Sequence, residues 1–462
     1  MTLLSLQRGF VGKLIIATSC VTFLLAILSF HPSAPSLSGY IPSRWSSSPP
    51  VLSSPGSCPP EVWADGQWTK RQSLRTDKQQ ATSVADVLEF EGFQGCAADR
   101  EYRWHLSADD SELNRYPELT AYDWTPSSDT CKTRRFNPEE VVRDMVEQGG
   151  WLLIGDSVTE GHFFSLSCSL FPHVRATPNY TENPYFDRAW PQNLYLNPQS
   201  PLVQYLQLPE GFDIAQTPLV TFRRVDLLLT QDHLRQLYAQ LHPERASQPG
   251  FELFGGDAVW EMAPAEYLGM LTAPLPEANY GTLIVSTAGH WTVGTMPGLK
   301  DTHMRGEGID NVIEFFAESM KEWSDIAQSW LKSAEGVRDQ DRQHGGGTRT
   351  KGGRKRKALV RAYLPGHDGC HNIQSPWTWY EQGRKNLPYN WGQIPTMNEK
   401  FDHAVTSGGH ADVHYLAIDG PGLLRPDAHA SGDCLHLSTG AGVIEGWSEY
   451  IWHYITREIK ST

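Results

Sequence analysis

Basic residues are in short supply in this chain. Its 462 residues carry 39 Lys and Arg against 53 Asp and Glu, a formal net charge of -14. A nucleic-acid partner calls for a basic face against its phosphates, so that class is excluded. The seven cysteines include no Cys-x-x-Cys pair, the clustering that zinc sites usually show, and a metal site is set aside. Acidic residues are missing before Glu61, and 31–57 is Ser and Pro with few apolar side chains. Such a segment cannot bury a core and reads as a stem.

What is present begins with a membrane signal. Leu14 to Phe30 is apolar and uncharged, with Arg8 and Lys13 before it. Its 17 residues are at the short end for a spanning helix. The positive flank belongs on the cytosolic side, which leaves the bulk of the chain lumenal. A cleaved signal peptide is the rival, but Phe30-His31-Pro32-Ser33 is a poor small-residue cleavage site. A single-pass type II signal anchor is therefore expected, with a cytosolic tail over 1–13, the anchor over 14–30 and the stem over 31–57. The sequon Asn179-Tyr180-Thr181 and the six cysteines beyond the anchor fit a lumenal setting. Six cysteines allow fifteen pairings, and counting does not choose among them. Composition is globular, 39% hydrophobic and 11% aromatic, with 16 Trp. Flat sugar faces stack on indoles, so carbohydrate handling suits that count, although most of these Trp are expected in the core.

The chain is organised around 149–170. Trp151 to Ile154 has strand length and ends in Gly155-Asp156-Ser157; a helix follows with Phe163, Phe164, Leu166 and Leu170 turned inward. Strand, tight turn and helix is the context that presents a serine hydroxyl at the carboxyl end of a parallel sheet. By itself Gly-Asp-Ser also reads as an ordinary capped turn. Near the C-terminus, Asp433-Cys434-Leu435-His436 sets a carboxylate three residues before a histidine. Ser157 as nucleophile, His436 as general base and Asp433 as the group orienting the imidazole form a candidate triad.

Together these two blocks resemble the SGNH (GDSL-type) hydrolase superfamily. Ser286-Thr287-Ala288-Gly289-His290-Trp291 and Arg425-Pro426-Asp427-Ala428-His429 narrow the likeness to the plant trichome-birefringence-like, or PC-esterase, family. Cys58 followed by Gly66-Gln67-Trp68, and Asp123-Trp124-Thr125-Pro126 followed by Cys131, are similar to that family's N-terminal motifs. The resemblance runs from about Cys58 to the C-terminus and is specific as an ordered set. It implies a Cys/Trp-containing lead-in (58–137) stapled by disulfides onto a catalytic domain (138–462), with Cys58–Cys131 as the first pairing to expect. It also implies acetylation of polysaccharide in the Golgi lumen. Two departures stand out. A basic, Gly-rich insertion near 339–357 has no counterpart and reads as a disordered surface loop, for which attraction to acidic glycans is a minor alternative. Leu437 stands where the plant motif has Trp-Cys.

Other strands are expected over Pro218–Leu229, Thr282–Ser286, Ala358–Leu364 and Val413–Ile418. Helices are expected over Gln231–Leu241, Ile309–Leu331, around Lys400–Ser407 and at the C-terminus. Strands alternating with helices give an α/β fold, a three-layer α/β/α sandwich with a central parallel sheet. Arg223 and Arg224 would face a ligand from their strand end, or else serve as surface or helix-paired arginines. Candidate oxyanion donors are the Ser157 amide, the Gly255-Gly256 turn (unless it is an ordinary glycine turn) and His290, which a structural role would explain equally well. Trp291, Trp377 and Trp379 are candidates for an acceptor platform. The expected activity is O-acetyl transfer to a glycan hydroxyl through an acyl-serine. No bound cofactor is expected, and an acetyl donor such as acetyl-CoA is the co-substrate. A carbohydrate acetylesterase and a non-catalytic glycan-binding protein are the alternatives.

Overall fold

Seven strands make the central sheet, in the order β4-β5-β6-β3-β7-β8-β9. They are β3 (Gly150–Gly155), β4 (Val174–Ala176), β5 (Pro191–Leu196), β6 (Pro218–Arg224), β7 (Tyr280–Ser286), β8 (Lys357–Arg361) and β9 (Val413–Leu416). The computed structural model describes residues 57–177, 191–256, 259–343 (backbone alone from 336), 355–383, 389–430 and 432–459. The expected anchor at 14–30, the Asn179 sequon and nearly all of the stem fall outside those residues. Among the described residues, no helix is long and apolar enough to cross a membrane.

β3 is buried at every position. It pairs in parallel with β6 on one side and β7 on the other, and β7, β8 and β9 continue in parallel. Strands covered on both faces read as unbroken apolar runs, which is why these were visible in the sequence. β4 and β5 were not. They join antiparallel, β5 against β6 and β4 at the edge, so the expected wholly parallel sheet is mostly parallel. β5 alternates buried with half-buried residues, a weak pattern in a strand of six residues.

Helix α1 (Val84–Glu91) belongs to the lead-in, and α2 (Pro138–Gln148) leads into β3. α3 (Ser157–Ser169) follows β3 directly and is buried from Val158 to Cys168. The expected single inward face of α3 is therefore corrected to burial all round. Phe163 meets Phe222 of β6 with ring centroids 6.4 Å apart, while Ser165 Oγ donates to Glu445 Oε1 at 2.6 Å. Glu445 lies on α8 (Val443–His453), which packs on α3. α4 (Gln231–Leu241) has the expected bounds. Beyond it, α6 (Ile309–Gln343) packs against α5 (Pro264–Thr272) and α7 (Ile394–Ser407).

The lead-in is built on a hairpin, β1 (Gly66–Lys70) with β2 (Tyr122–Pro126), that aligns Trp68 with Trp124. Both motifs quoted from the lead-in thus lie on paired strands. Trp68 Nε1 donates to Pro421 O at 2.9 Å, and Trp63 lies 4.8 Å from the Tyr450 ring, so the hairpin is seated on the C-terminal part. Disulfides join Cys58–Cys131, Cys96–Cys168 and Cys370–Cys434. The first matches the expected pairing, and the second fastens the lead-in to α3.

Strand and loop boundaries needed correction: β8 stops at Arg361 rather than Leu364 and β9 at Leu416 rather than Ile418. β6 stops at Arg224 rather than Leu229, because Asp226 leaves the ladder: its N–H donates to Trp260 O and its Oδ2 accepts Trp260 N–H, both at 2.8 Å. The basic insertion is shorter than 339–357: α6 continues to Gln343, and the tail of the basic run is structural. Lys355 and Lys357 each place Nζ 2.7 Å from Asp412 Oδ1, and Arg356 Nε donates to Leu271 O at 3.1 Å. Those three charges are spent inside the fold.

Candidate active site

Gly155 ends β3 where there is no room for a side chain: a Cβ there would sit 2.3 Å from Thr159 Oγ1 and 2.7 Å from Ser286 O. The chain then turns at Asp156, whose Oδ1 accepts from Val158 N–H at 3.0 Å and caps α3. Ser157 is the first residue of that helix, and its amide lies among the unpaired N–H groups at the positive end.

From the other side of the site come 424–430 and 432–442, mostly irregular, with one short bridge between His429 and Leu437. His436 Nε2 lies 2.7 Å from Ser157 Oγ, and His436 Nδ1 lies 2.7 Å from Asp433 Oδ2. Asp433 Oδ1 accepts the N–H groups of Leu435 at 2.7 Å and His436 at 2.8 Å. Burial alone would raise the Asp433 carboxyl, but the His436 hydrogen bond, its charge and the two amides hold it below the usual range. The edge of Trp104 rests against the His436 ring at 5.2 Å. Ser157, His436 and Asp433 thus form one hydrogen-bonded series across residues 279 positions apart.

Asp156 is the hub of a second cluster. It is 1% exposed; its Oδ2 accepts Tyr363 O–H at 2.6 Å and faces His290 Nδ1 at 3.3 Å. Burial opposes its charge, yet the His290 bond and charge, the Tyr363 hydroxyl and Arg224 bring its pKa down to about 2. His290 moves the opposite way. Burial works against the imidazolium, but Asp156 and Asp226 outweigh it and raise the ring above its ordinary value. With Nδ1–H given to Asp156, the charged ring keeps Nε2–H as a second donor. Gly289 makes this cluster possible, since a Cβ there would lie 2.4 Å from the Tyr363 hydroxyl. Arg224 Nε donates to Asp226 Oδ1 at 3.0 Å and completes it.

Several nominated residues lie elsewhere. Arg223 packs away from this cluster, with Nη1 3.2 Å from Met270 Sδ on α5, because successive strand residues face opposite ways. Gly255 is no oxyanion donor: its N–H is committed to Thr295 O at 3.1 Å, and Gly256 beside it is exposed. Trp291 is a core side chain, fully buried against Phe316, with Nε1 donating to Thr287 Oγ1 at 3.2 Å. Trp377 sets its ring edge-on to buried His367 at 5.2 Å, whereas Trp379 is 66% exposed. Tyr363, Asp226 and the His367–His429 contact were missed. Asp226, two residues past Arg224 at a strand end, was the one with a visible signal.

Beside Asp433 lies a cavity of about 440 Å³ lined by Glu112, Arg115, His371, Asp427 and His429 among others. Ser157 and His436 do not line it. Among the described residues, Cys370, His371 and Cys434 bring potential metal-ligand atoms within 4.8 Å of one another. The two sulfurs are joined to each other, so they offer no thiolate. No known protein family and no curated protein sequence matches this chain.

Proposed function

We propose that this protein is an acyltransferase that moves an acetyl group from an acetyl donor to a glycan hydroxyl by way of acetyl-Ser157. The carrying observation is the series Ser157 Oγ, His436 Nε2, Asp433, with both links at 2.7 Å. A serine hydroxyl is a weak nucleophile until a base stands within reach, and the base needs its other nitrogen oriented. In this reading Ser157 Oγ attacks the donor carbonyl while its proton passes to His436 Nε2. The developing imidazolium is stabilised through Nδ1–H by Asp433. The tetrahedral oxyanion takes the Ser157 amide and the Nε2–H of His290 as donors. Collapse expels the leaving group with the proton from His436 and leaves acetyl-Ser157. His436 then deprotonates the acceptor hydroxyl, which attacks the ester; the acyl–Oγ bond breaks and the proton on His436 Nε2 returns to Ser157 Oγ.

We read the sheet and its helices as the three-layer sandwich of the SGNH-type superfamily, and the N-terminal segment as a Golgi type II anchor that puts this site in the lumen. Acetyl-CoA is a candidate donor, with no cofactor held between turnovers. One observation favours the esterase of the same chemistry. Trp291 is core and Trp377 packs on His367, which leaves Trp379 as the exposed member of the nominated acceptor platform. The discriminating experiment incubates the full-length chain with acetyl-CoA or p-nitrophenyl acetate and a panel of neutral oligosaccharides in water. Acetylated sugar, lost in Ser157→Ala, is expected. Acetate as the sole Ser157-dependent product would replace the transferase with the esterase, and no Ser157-dependent product would remove acyl transfer.

A further inference from the structure

Behind the His436 loop, two buried histidines touch each other. His367 Nδ1 and His429 Nε2 are 2.7 Å apart, and both residues are at most 3% exposed. Each outer nitrogen faces a backbone carbonyl: His367 Nε2 meets Leu423 O at 3.0 Å, and His429 Nδ1 meets His436 O at 3.1 Å. Carbonyl oxygens only accept, so both outer nitrogens must carry hydrogen. The inner contact needs a third. Two neutral imidazoles hold one N–H each, two in all, and leave one of the three contacts as lone pair against lone pair.

We propose that His367 and His429 share one extra proton, forming an imidazole–imidazolium pair that clamps the backbone of His436 to the loop at Leu423. Around the pair stand Asp427, Asp368 and Asp433, whose charges favour the proton, and His436, whose charge opposes it. Arg115 donates to the carbonyls of Asp427 at 2.9 Å and His429 at 2.7 Å, while buried Arg425 is paired with Asp427. Burial is the largest influence and lowers both rings, so it is the donor count at the three contacts that calls for the proton. A second proton would set two N–H groups against each other at the inner contact, and the first leaves as the pH rises. His429 also lines the cavity beside Asp433, which gives the proton a route to solvent.

The clamp acts on catalysis through the carbonyl of His436, which accepts both His429 Nδ1–H and Ala430 N–H, the latter at 2.8 Å. His367 and His429 are thus positioning residues, and that part rests on the acyl-transfer reading, whereas the proton count does not. The test is a pH titration of imidazole nitrogen-15 signals in the full-length chain, with His367→Gln and His429→Gln each assigning the pair. At about pH 5, where an ordinary histidine is charged and a neutral buried pair is not, three of the four ring nitrogens should carry hydrogen. Toward about pH 8 the count should fall to two, with loss of the His429 Nδ1–H or the His367 Nε2–H signal. Three at both pH values would show the proton held more tightly and support the proposal. Two at both, or four at the lower pH, would overturn it. Absence of acyl transfer would leave this readout unchanged, so the two readings fail separately.

Discussion

Ser157 and His436 reach the same point by opposite means. Ser157 is delivered by β3, which has a parallel neighbour on each side and no exposed residue. Many small ladder and packing terms fix it, and none is decisive. His436 is delivered by a loop held through a few discrete bonds. Buried Arg425 donates to Leu119 O at 2.8 Å and pairs with Asp427, Cys434 is bonded to Cys370, and His429 meets His367. Redundant positioning resists single substitutions until the fold fails. Discrete positioning fails one bond at a time, which leaves the sheet standing.

Four changes would break or sharpen that contrast. Asp433→Asn, in the loop half, should lower acyl turnover by about 10³–10⁴-fold by losing the carboxylate that orients His436. Its melting temperature should stay close to that of the parent, as calorimetry would show. Trp291→Ala, in the packed core, should do the reverse. A fully buried indole leaves a large cavity and costs about 3–5 kcal/mol of stability in denaturant titration, with turnover per folded molecule largely kept. Loss of the Cys370–Cys434 bridge in the double Ser variant should cost about 2–4 kcal/mol and lower turnover further than instability explains.

The smallest effect is on the pH dependence of stability. The folded-state pKa of Asp156 is depressed to about 2, below the roughly 3.9 of an unfolded aspartate. Its contribution is present above about pH 4 and is lost as pH falls toward 2. His290 is raised instead, so its contribution is present below about 6.5 and is lost as pH rises through the folded value. The difference in melting temperature between the parent and Asp156→Asn should therefore be widest between those limits. A difference that does not vary with pH would unlink the pair.

How legible each half was follows from the same contrast. β3, β7 and the start of α3 were plain because strands buried on both faces must be apolar runs. Ser157, Asp433 and His436 were found from two short blocks, one at a strand end and one ahead of a helix. β4 and β5 escaped because β4 is only three residues long and β5 carries a mixed pattern of buried and half-buried residues. Trp291 was misplaced because the turn that carries His290, closed by Trp291 N–H on Ala288 O at 2.9 Å, sends the next side chain into the core. The Tyr363 and His367 contacts join loops far apart in sequence, and no local spacing announces such pairs. Gly255 looked available as a donor, and only tertiary structure shows Thr295 taking its N–H.

The central claim is that Ser157 carries the acyl group. The full-length chain is mixed with p-nitrophenyl acetate, quenched in acid during the first turnovers and digested, and the peptides are weighed. Acetyl on the Ser157 peptide, at near one per chain and absent from Ser157→Ala, is the predicted result. Acetyl on another residue, or turnover by Ser157→Ala within a few-fold of the parent, would contradict it, since losing a covalent nucleophile costs several orders of magnitude.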